Sequence, residues 1–141
     1  MPLSSAITAS ATALDAQRAR IEVAVSNIAN AESTRGPDGK PYRRRDVVLE
    51  SEPIEPFDGE LGRAGAIGVR VDDIVEDQGE FRRRYEPSHP DADAEGFVAM
   101  PNVDVPEEMV DMLGATRAYQ ANLTAINLIR DTIQRALELG R

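Results

Sequence analysis

The chain contains no cysteine. A disulfide framework and a thiolate-held metal are both excluded, and the absence fits either redox compartment. Tryptophan is also missing, and only three Phe and three Tyr occur, so any core must be mostly aliphatic. A single histidine leaves no partner for a His-pair metal site. No apolar run approaches the ~20 residues that span a bilayer, so the chain is not expected to cross a membrane. The opening stretch "MPLSSAITASATALDAQRAR" lacks a basic n-region and a continuous h-region, and does not read as a cleaved secretory signal.

Basic charge is scarce as well. Sixteen Lys and Arg against 25 Asp and Glu give a net charge of −9, which disfavours nonspecific binding to nucleic acid. The triplets Arg43-Arg44-Arg45 and Arg82-Arg83-Arg84 are local exceptions. They read as solvated strand positions or salt-bridge partners, because nucleic-acid readers concentrate basic charge over a whole face. There is no Gly-rich phosphate loop and no GxSxG, and no spacing singles out a pair of carboxylates. No catalytic residue and no cofactor are expected.

What is present is enough for a core. At 141 residues and 41% hydrophobic, the chain suits one modest domain rather than a disordered segment. Its two ends are periodic. Ile7, Leu14, Ile21 and Ile28 recur every seven residues. Leu3, Ala11 and Val25 lie four residues before or after members of that series, and only Arg18 breaks the companion row. This is a heptad stripe on a helix. Ser4 or Ser5 can cap its start, and Asn30 or Gly36 marks its end.

The C-terminal end repeats the design at greater length. Val105, Met112, Tyr119, Ile126 and Ile133 form one row, and Met109, Thr116, Leu123, Arg130 and Leu137 a second, four residues on. Asp104 suits the N-cap, Glu107 a capping box and Gly140 the stop. A helix of ~35 residues would be ~50 Å long, more than a monomer of this size can cover. It must project, or pack against other chains.

The middle is strand-like. "GPDGKPY" is a turn, and "YRRRDVVLES", "AIGVRVDDIV", "QGEFRRRYEP" and "GFVAM" read as strands, with Ile67, Val69 and Val71 alternating against Gly68 and Arg70. Pro53, Pro56, Gly59, Gly62 and Gly65 punctuate the connection between the first two. The expected organisation is α+β. Long N- and C-terminal helices (residues 1–35 and 102–141) form an antiparallel, coiled-coil-like pair around a small β-rich insert (36–101).

"HPDADAEG" holds the only histidine. Asp91-x-Asp93-x-Glu95-Gly96-x-Val98 mimics the first eight positions of a calcium loop. The twelfth position is Asn102 rather than Glu, Pro101 precedes it, and no helix is expected upstream. A proline-framed polar turn is the preferred reading over a calcium-binding module, and no metal site is expected.

"SNIANAEST", residues 26–34, resembles the Asn-rich motif of the bacterial flagellar rod and hook axial proteins. "RGPDGKPYRRRDVVLE", "EDQGEFRRRYEPSHPDADAEGFVAMPNVDVPEEMVDMLGATRAYQANL" and the Leu-Gly-Arg tail resemble the proximal rod members of that family. The resemblance covers nearly the whole chain and is weakest over residues 51–66, which look like a variable loop. It implies a structural subunit of the basal body. Such a subunit polymerises into a hollow, periplasm-crossing drive shaft that transmits torque and lines the export channel. The implied partners are further copies of itself, other proximal and distal rod proteins, the rod-to-MS-ring junction protein and the flagellar type III export apparatus. Export without a cleaved signal is implied too.

Within that resemblance the two helical rows become an assembly interface: Ile7, Leu14, Ile21 and Ile28 on one helix, and Val105, Met109, Met112, Tyr119, Leu123, Ile126, Ile133 and Leu137 on the other. Asn27 and Asn30, one turn apart, are expected both to cap the helix end and to contact a neighbouring subunit. Asn102, Gln120 and Asn122 would set register on the aliphatic rows. The alternatives are another short proximal rod protein, against which "HPDADAEGF" argues, and a non-flagellar coiled-coil adaptor.

Overall fold

A computed structural model describes residues 3–54 and 67–140 of the chain. In chain order it has helix α1 (Leu3–Ala29), strands β1 (Arg45–Pro53), β2 (Ile67–Glu76), β3 (Arg82–Tyr85) and β4 (Phe97–Met100), and helix α2 (Val105–Leu139). The class is α+β, as the two periodicities predict. Every strand falls inside 36–101 and both helices fall outside it.

α1 contains neither Gly nor Pro and is rich in alanine, so nothing interrupts it. It starts at Leu3, ahead of Ser4 and Ser5, so neither serine stands before the helix as the sequence reading expected. It stops where Asn30 intervenes. The Asn30 Nδ2 donates to the Ser26 carbonyl at 2.8 Å, and Ser33 Oγ donates to Asn30 Oδ1 at 3.2 Å. That side chain satisfies a carbonyl at the end of the helix. α2 begins after Asp104, whose carboxylate lies 3.4 Å from the Glu107 N–H, and its last turn runs into Gly140. Its 35 residues make it about 50 Å long.

β1 pairs with β2, and β3 pairs with β4 antiparallel with Arg82 opposite Met100 and Tyr85 opposite Phe97. Pro56, Gly59, Gly62 and Gly65, and most of the stretch read as a variable loop, lie outside the described residues.

Two compact units cut across the elements. One draws on residues within 1–19, 48–73 and 114–141. In it the backbone of β2 presses on α1: the Val69 N–H donates to Thr12 Oγ1 at 3.1 Å, and a Cβ built on Gly68 would stand 2.8 Å from the same oxygen. Gly68 is buried while Ile67 is 68% exposed. Farther along β2 the expected alternation holds, with Val69 and Val71 half-buried and Arg70 exposed; only the Ile67/Gly68 pair departs from it, because the strand backbone approaches the helix closely at Gly68.

The other unit comprises residues 20–47 and 74–113. Its buried apolar residues are Ala24, Ala31, Val98, Met100 and Val103. The β3–β4 hairpin is closed by the Asp93 carboxylate, which accepts from the N–H groups of Glu95 (2.9 Å) and Phe97 (2.8 Å) and from Arg83 (3.0 Å). Gly96 turns the chain at φ +84°, and a Cβ there would meet Tyr85 at 2.9 Å, so glycine is required twice over.

Candidate assembly interface

Among the described residues, the side chain of Asn27 makes four hydrogen bonds. It is 1% exposed. Its Nδ2 donates to the Arg45 carbonyl (2.8 Å) and to Glu108 Oε2 (2.9 Å). Its Oδ1 accepts from Tyr42 OH (2.9 Å) and from the Arg45 N–H (3.0 Å). A neutral amide offers two donors and two lone pairs, so all four are used. Asn27 thereby joins the last turn of α1, the lead-in to β1 and the first turn of α2.

Glu108 completes the node. It is 2% exposed, and its second oxygen, Oε1, accepts from Arg44 Nε at 2.5 Å. Arg44 also approaches Asp46 and Asp111, at 3.6 and 3.7 Å. Burial draws the Arg44 pKa down, but the hydrogen bond and charge of Glu108, with Asp46 and Glu107, outweigh it and leave the guanidinium above its ordinary value. The Arg44 N–H in turn donates to Asn102 Oδ1 at 2.9 Å. The pair is therefore charged, shielded and hydrogen-bonded on both sides, the condition under which breaking one half is costly.

The node redefines two of the predicted site residues. Asn27 has no hydrogen-bonding group left for a neighbouring subunit, and the Asn102 acceptor holds the β1 lead-in. Asn30 is the helix cap described above. Asn122 Nδ2 bonds back to the Ala118 carbonyl of its own helix at 2.9 Å, and Gln120 is exposed. Sequence reading missed Glu108 because an acid in the first turn of a helix looks like a response to the helix dipole. The available signal was its place three residues after Val105, on the inward side.

The aliphatic rows divide. Ile7, Leu14, Ile21 and Ile28 are half-buried, and so are Val105, Met112, Tyr119, Ile126 and Ile133. The companion rows turn outward except at the half-buried Thr116: Leu3, Ala11 and Val25 on α1 are exposed, and so are Met109, Leu123, Arg130 and Leu137 on α2. Within the helices the tightest apolar burial belongs to small residues, Ala16 and Ala115 at 1% in one unit and Ala24 in the other. Val110, Leu113 and Leu128 lie on the side of α2 away from Glu108 and Ala115 and are 69%, 52% and 66% exposed. A lone exposed leucine is ordinary; several along one long helix form a surface prepared for contact.

The remaining motifs have local roles. Asp91 accepts from Thr34 Oγ1 (2.9 Å) and lies 3.4 Å from Arg35. The His89 ring nitrogen accepts from the Asp91 N–H at 3.1 Å. The carboxylates of "HPDAD" thus act as turn caps and ion-pair partners within the chain. The arginine triplets are likewise engaged internally, Arg45 with Glu76, Arg83 with Asp93 and Arg84 with Glu86. Among the described residues no cluster of three His, Cys, Asp or Glu side chains could hold a metal ion, and no helix is long and apolar enough to cross a membrane.

Two terminal helices joined by a buried polar node, with aliphatic side chains facing out, are the features of a structural subunit. Residues 7–37 match the family model "Flagella basal body rod protein", and residues 94–139 match "Flagellar basal body rod FlgEFG protein C-terminal". The chain is 45% identical over 130 residues, 92% of each chain, to the flagellar basal-body rod protein FlgC of Escherichia coli O6:H1. It is 44% identical to that of Bacillus subtilis over 96% of each chain, and 40% identical to that of Borreliella burgdorferi over 99% of this chain and 98% of the relative. The chain belongs to the FlgC family of flagellar basal-body rod proteins.

Proposed function

We propose that this chain is a structural subunit of the proximal flagellar rod that polymerises through the outward rows of its terminal helices. The observation that carries the reading is the line of exposed aliphatic side chains on α2, set on a chain otherwise stabilised by its own node. Fully burying a Leu or Val side chain is worth about 1.5–3 kcal/mol. Even partial burial of Val110, Leu113 and Leu128 would contribute several kcal/mol per subunit. α1 and α2 pack as an antiparallel coiled-coil-like pair in this account, in keeping with the meeting of the last turn of α1 with the first turn of α2. Residues 36–101 serve as the outer insert. Met109, Leu123 and Leu137 complete the outward surface, and the remaining exposed parts of the half-buried Ile7, Leu14, Ile21 and Ile28 add to the contact with neighbouring copies and other rod proteins.

The same reading has the rod hollow, passing export substrates and transmitting torque, and anchored through the junction protein to the MS ring. Delivery is by the flagellar type III apparatus without a cleaved signal. The subunit performs no catalysis. The test is replacement of the chain in its own cells. Loss of the rod, seen by electron microscopy of basal bodies and restored by the intact chain, supports the proposal. Complete basal bodies without it would overturn it.

A further inference from the structure

The strands of this chain come as two ribbons. β1 pairs with β2 and β3 with β4, and among the described residues neither pair has a third strand. Each ribbon therefore has open edges, and a two-stranded ribbon is only marginally stable by itself.

On β3 the open edge belongs to Arg83 and Tyr85. The Glu86 N–H donates to the Gly96 carbonyl at 2.9 Å, in register with Arg82 opposite Met100. Successive strand residues turn their backbone groups to opposite sides. Arg82 and Arg84 thus face β4, and the N–H and C=O of Arg83 and Tyr85 face away from it. The Tyr85 ring meets Phe97 edge-on at 5.2 Å and lies against Gly96, yet Tyr85 is 65% exposed. A braced, exposed tyrosine among arginines has the composition of a binding hot spot.

β1 presents a matching edge. The Asn27 amide takes both the N–H and the C=O of Arg45, while the Arg44 carbonyl accepts from the Asp77 N–H at 2.8 Å on the β2 side. In step with Arg45, Leu49 and Ser51 turn their backbone groups away from β2. They alternate with Glu50 and Glu52, and all four are exposed.

We propose that β1 of one copy of the chain adds antiparallel to the open edge of β3 in a second copy. The proposal rests on the rod reading and names one contact within it. With Ser51 opposite Arg83 and Leu49 opposite Tyr85, the outward backbone groups of the two strands meet and form about four hydrogen bonds. The same register sets Glu52 opposite Arg82 and Glu50 opposite Arg84, and lays Leu49 beside the Tyr85 ring. Glu50 and Arg84 already have partners, Arg70 at 2.7 Å and Glu86 at 2.8 Å. Arg82 and Glu52 are exposed, and among the described residues neither side chain makes an ion pair, so each supplies what the other lacks. The ladder also ends where the register requires. Pro53 and Pro87 have no N–H, and the Val47 N–H is taken by Asp46 at 2.9 Å. The product is one four-stranded sheet across two copies, in the order β2, β1, β3, β4. The two edges differ, so the contact is head-to-tail and passes from copy to copy.

Arg82→Cys and Glu52→Cys are made as separate variants of this cysteine-free chain and co-expressed in cells lacking the wild type. Basal bodies are isolated, oxidised and run on a denaturing gel. A disulfide-linked pair of chains is expected from the mixture and from neither variant alone. Substituting Ser51→Cys for Glu52→Cys should remove most of that product, because its thiol stands on the opposite face of the strand. In parallel, Arg82→Glu and Glu52→Arg should each weaken the contact about fivefold, the order for an exposed ion pair. Both should lower the yield of rods with unchanged thermal unfolding of the free chain, and combining them should restore it. Equal linking at Ser51→Cys, a link to a different protein, or basal bodies that hold both cysteine variants and stay unlinked would each overturn the proposal. So would wild-type rod yields from both charge variants. Each of these outcomes leaves the rod reading intact. Failure of that reading is distinguishable, because the chain is then missing from wild-type basal bodies altogether.

Discussion

Asn27 and Glu108 are 81 residues apart in the chain and meet through a buried 2.9 Å hydrogen bond. The contact fixes the end of one terminal helix against the start of the other. It holds only because Arg44 neutralises the carboxylate and Tyr42 and Arg45 complete the amide.

Removing the amide should therefore cost more than one hydrogen bond. Asn27→Ala leaves the Arg45 N–H and C=O and a Glu108 oxygen without their partner in a dry site. The expected loss is about 2–4 kcal/mol of unfolding free energy. Asn27→Asp should be at least as damaging, since it places a second carboxylate against Glu108 and removes both donors. Urea unfolding of the purified chain followed by circular dichroism measures both.

Glu108→Ala leaves Arg44 without its closest partner. The expected cost is about 3 kcal/mol, at the low end for a broken buried pair because Arg44 retains some solvent contact and Asp111 nearby. Glu108→Gln keeps the shape and should lose roughly half as much. Equal losses for the two would mean that charge alone, not shape, holds the node.

Two glycines should respond in opposite directions. Gly68→Ala drives a methyl group to 2.8 Å from Thr12 Oγ1 and should cost about 1–3 kcal/mol. Gly114, inside α2, has nothing within 4 Å of a built Cβ, so Gly114→Ala should stabilise the free chain by about 0.5–1 kcal/mol. Thermal unfolding of both variants at one protein concentration gives the comparison.

The "HPDAD" hairpin should respond to acid. The Phe97 N–H above all, with that of Glu95 and the Arg83 guanidinium, holds the Asp93 pKa below its ordinary 3.8. A carboxylate whose folded pKa is depressed adds stability that is complete above its unfolded value. That stability is lost as pH falls through the folded value. The hairpin should therefore keep this contribution at pH 5 and lose it progressively below about pH 4. Asp93→Asn should flatten that dependence. NMR titration of the Glu95 and Phe97 amide shifts reads it directly.

Much of this fold was legible from the sequence. The stop at Asn30, the cap at Asp104 and all four strands come from residues that act within a few positions of themselves. The seam inside the chain was not legible, because alanine carries little hydrophobic signal. Ala16, Ala24 and Ala115 are buried where periodicity pointed to Ile and Leu. The large residues drew attention because they form rows, yet Leu123 and Leu137 turn outward, where only a neighbour could cover them. Glu108 was hidden by its chemistry, since an acid is expected in the first turn of any helix and nothing local says that this one is buried. On β2 the Val69/Val71 alternation held, but the burial of Gly68 was missed for a related reason: a glycine at the closest contact contributes no side chain to a pattern.

Assembly should separate the rows of α2. Leu128→Asp changes a side chain that is 66% exposed and should leave the free chain's stability within about 0.5 kcal/mol of the original. In a packed wall the same carboxylate would be buried without a partner, and rods should not form. Ile126→Asp should also prevent rod formation, but with a destabilised free chain, because Ile126 is already half-buried. Arg130→Asp should be milder than either. Basal-body micrographs beside unfolding curves distinguish the three.

The central claim is that the outward face of α2 is bare in the free chain and covered in the rod. Because the chain has no cysteine, Leu128→Cys supplies a single thiol on that face. Maleimide labelling of the purified free chain should be rapid and complete, and labelling of intact basal bodies carrying the same variant should be slowed by orders of magnitude. Equally fast labelling in both would show that this face never meets a neighbour, and would contradict the account.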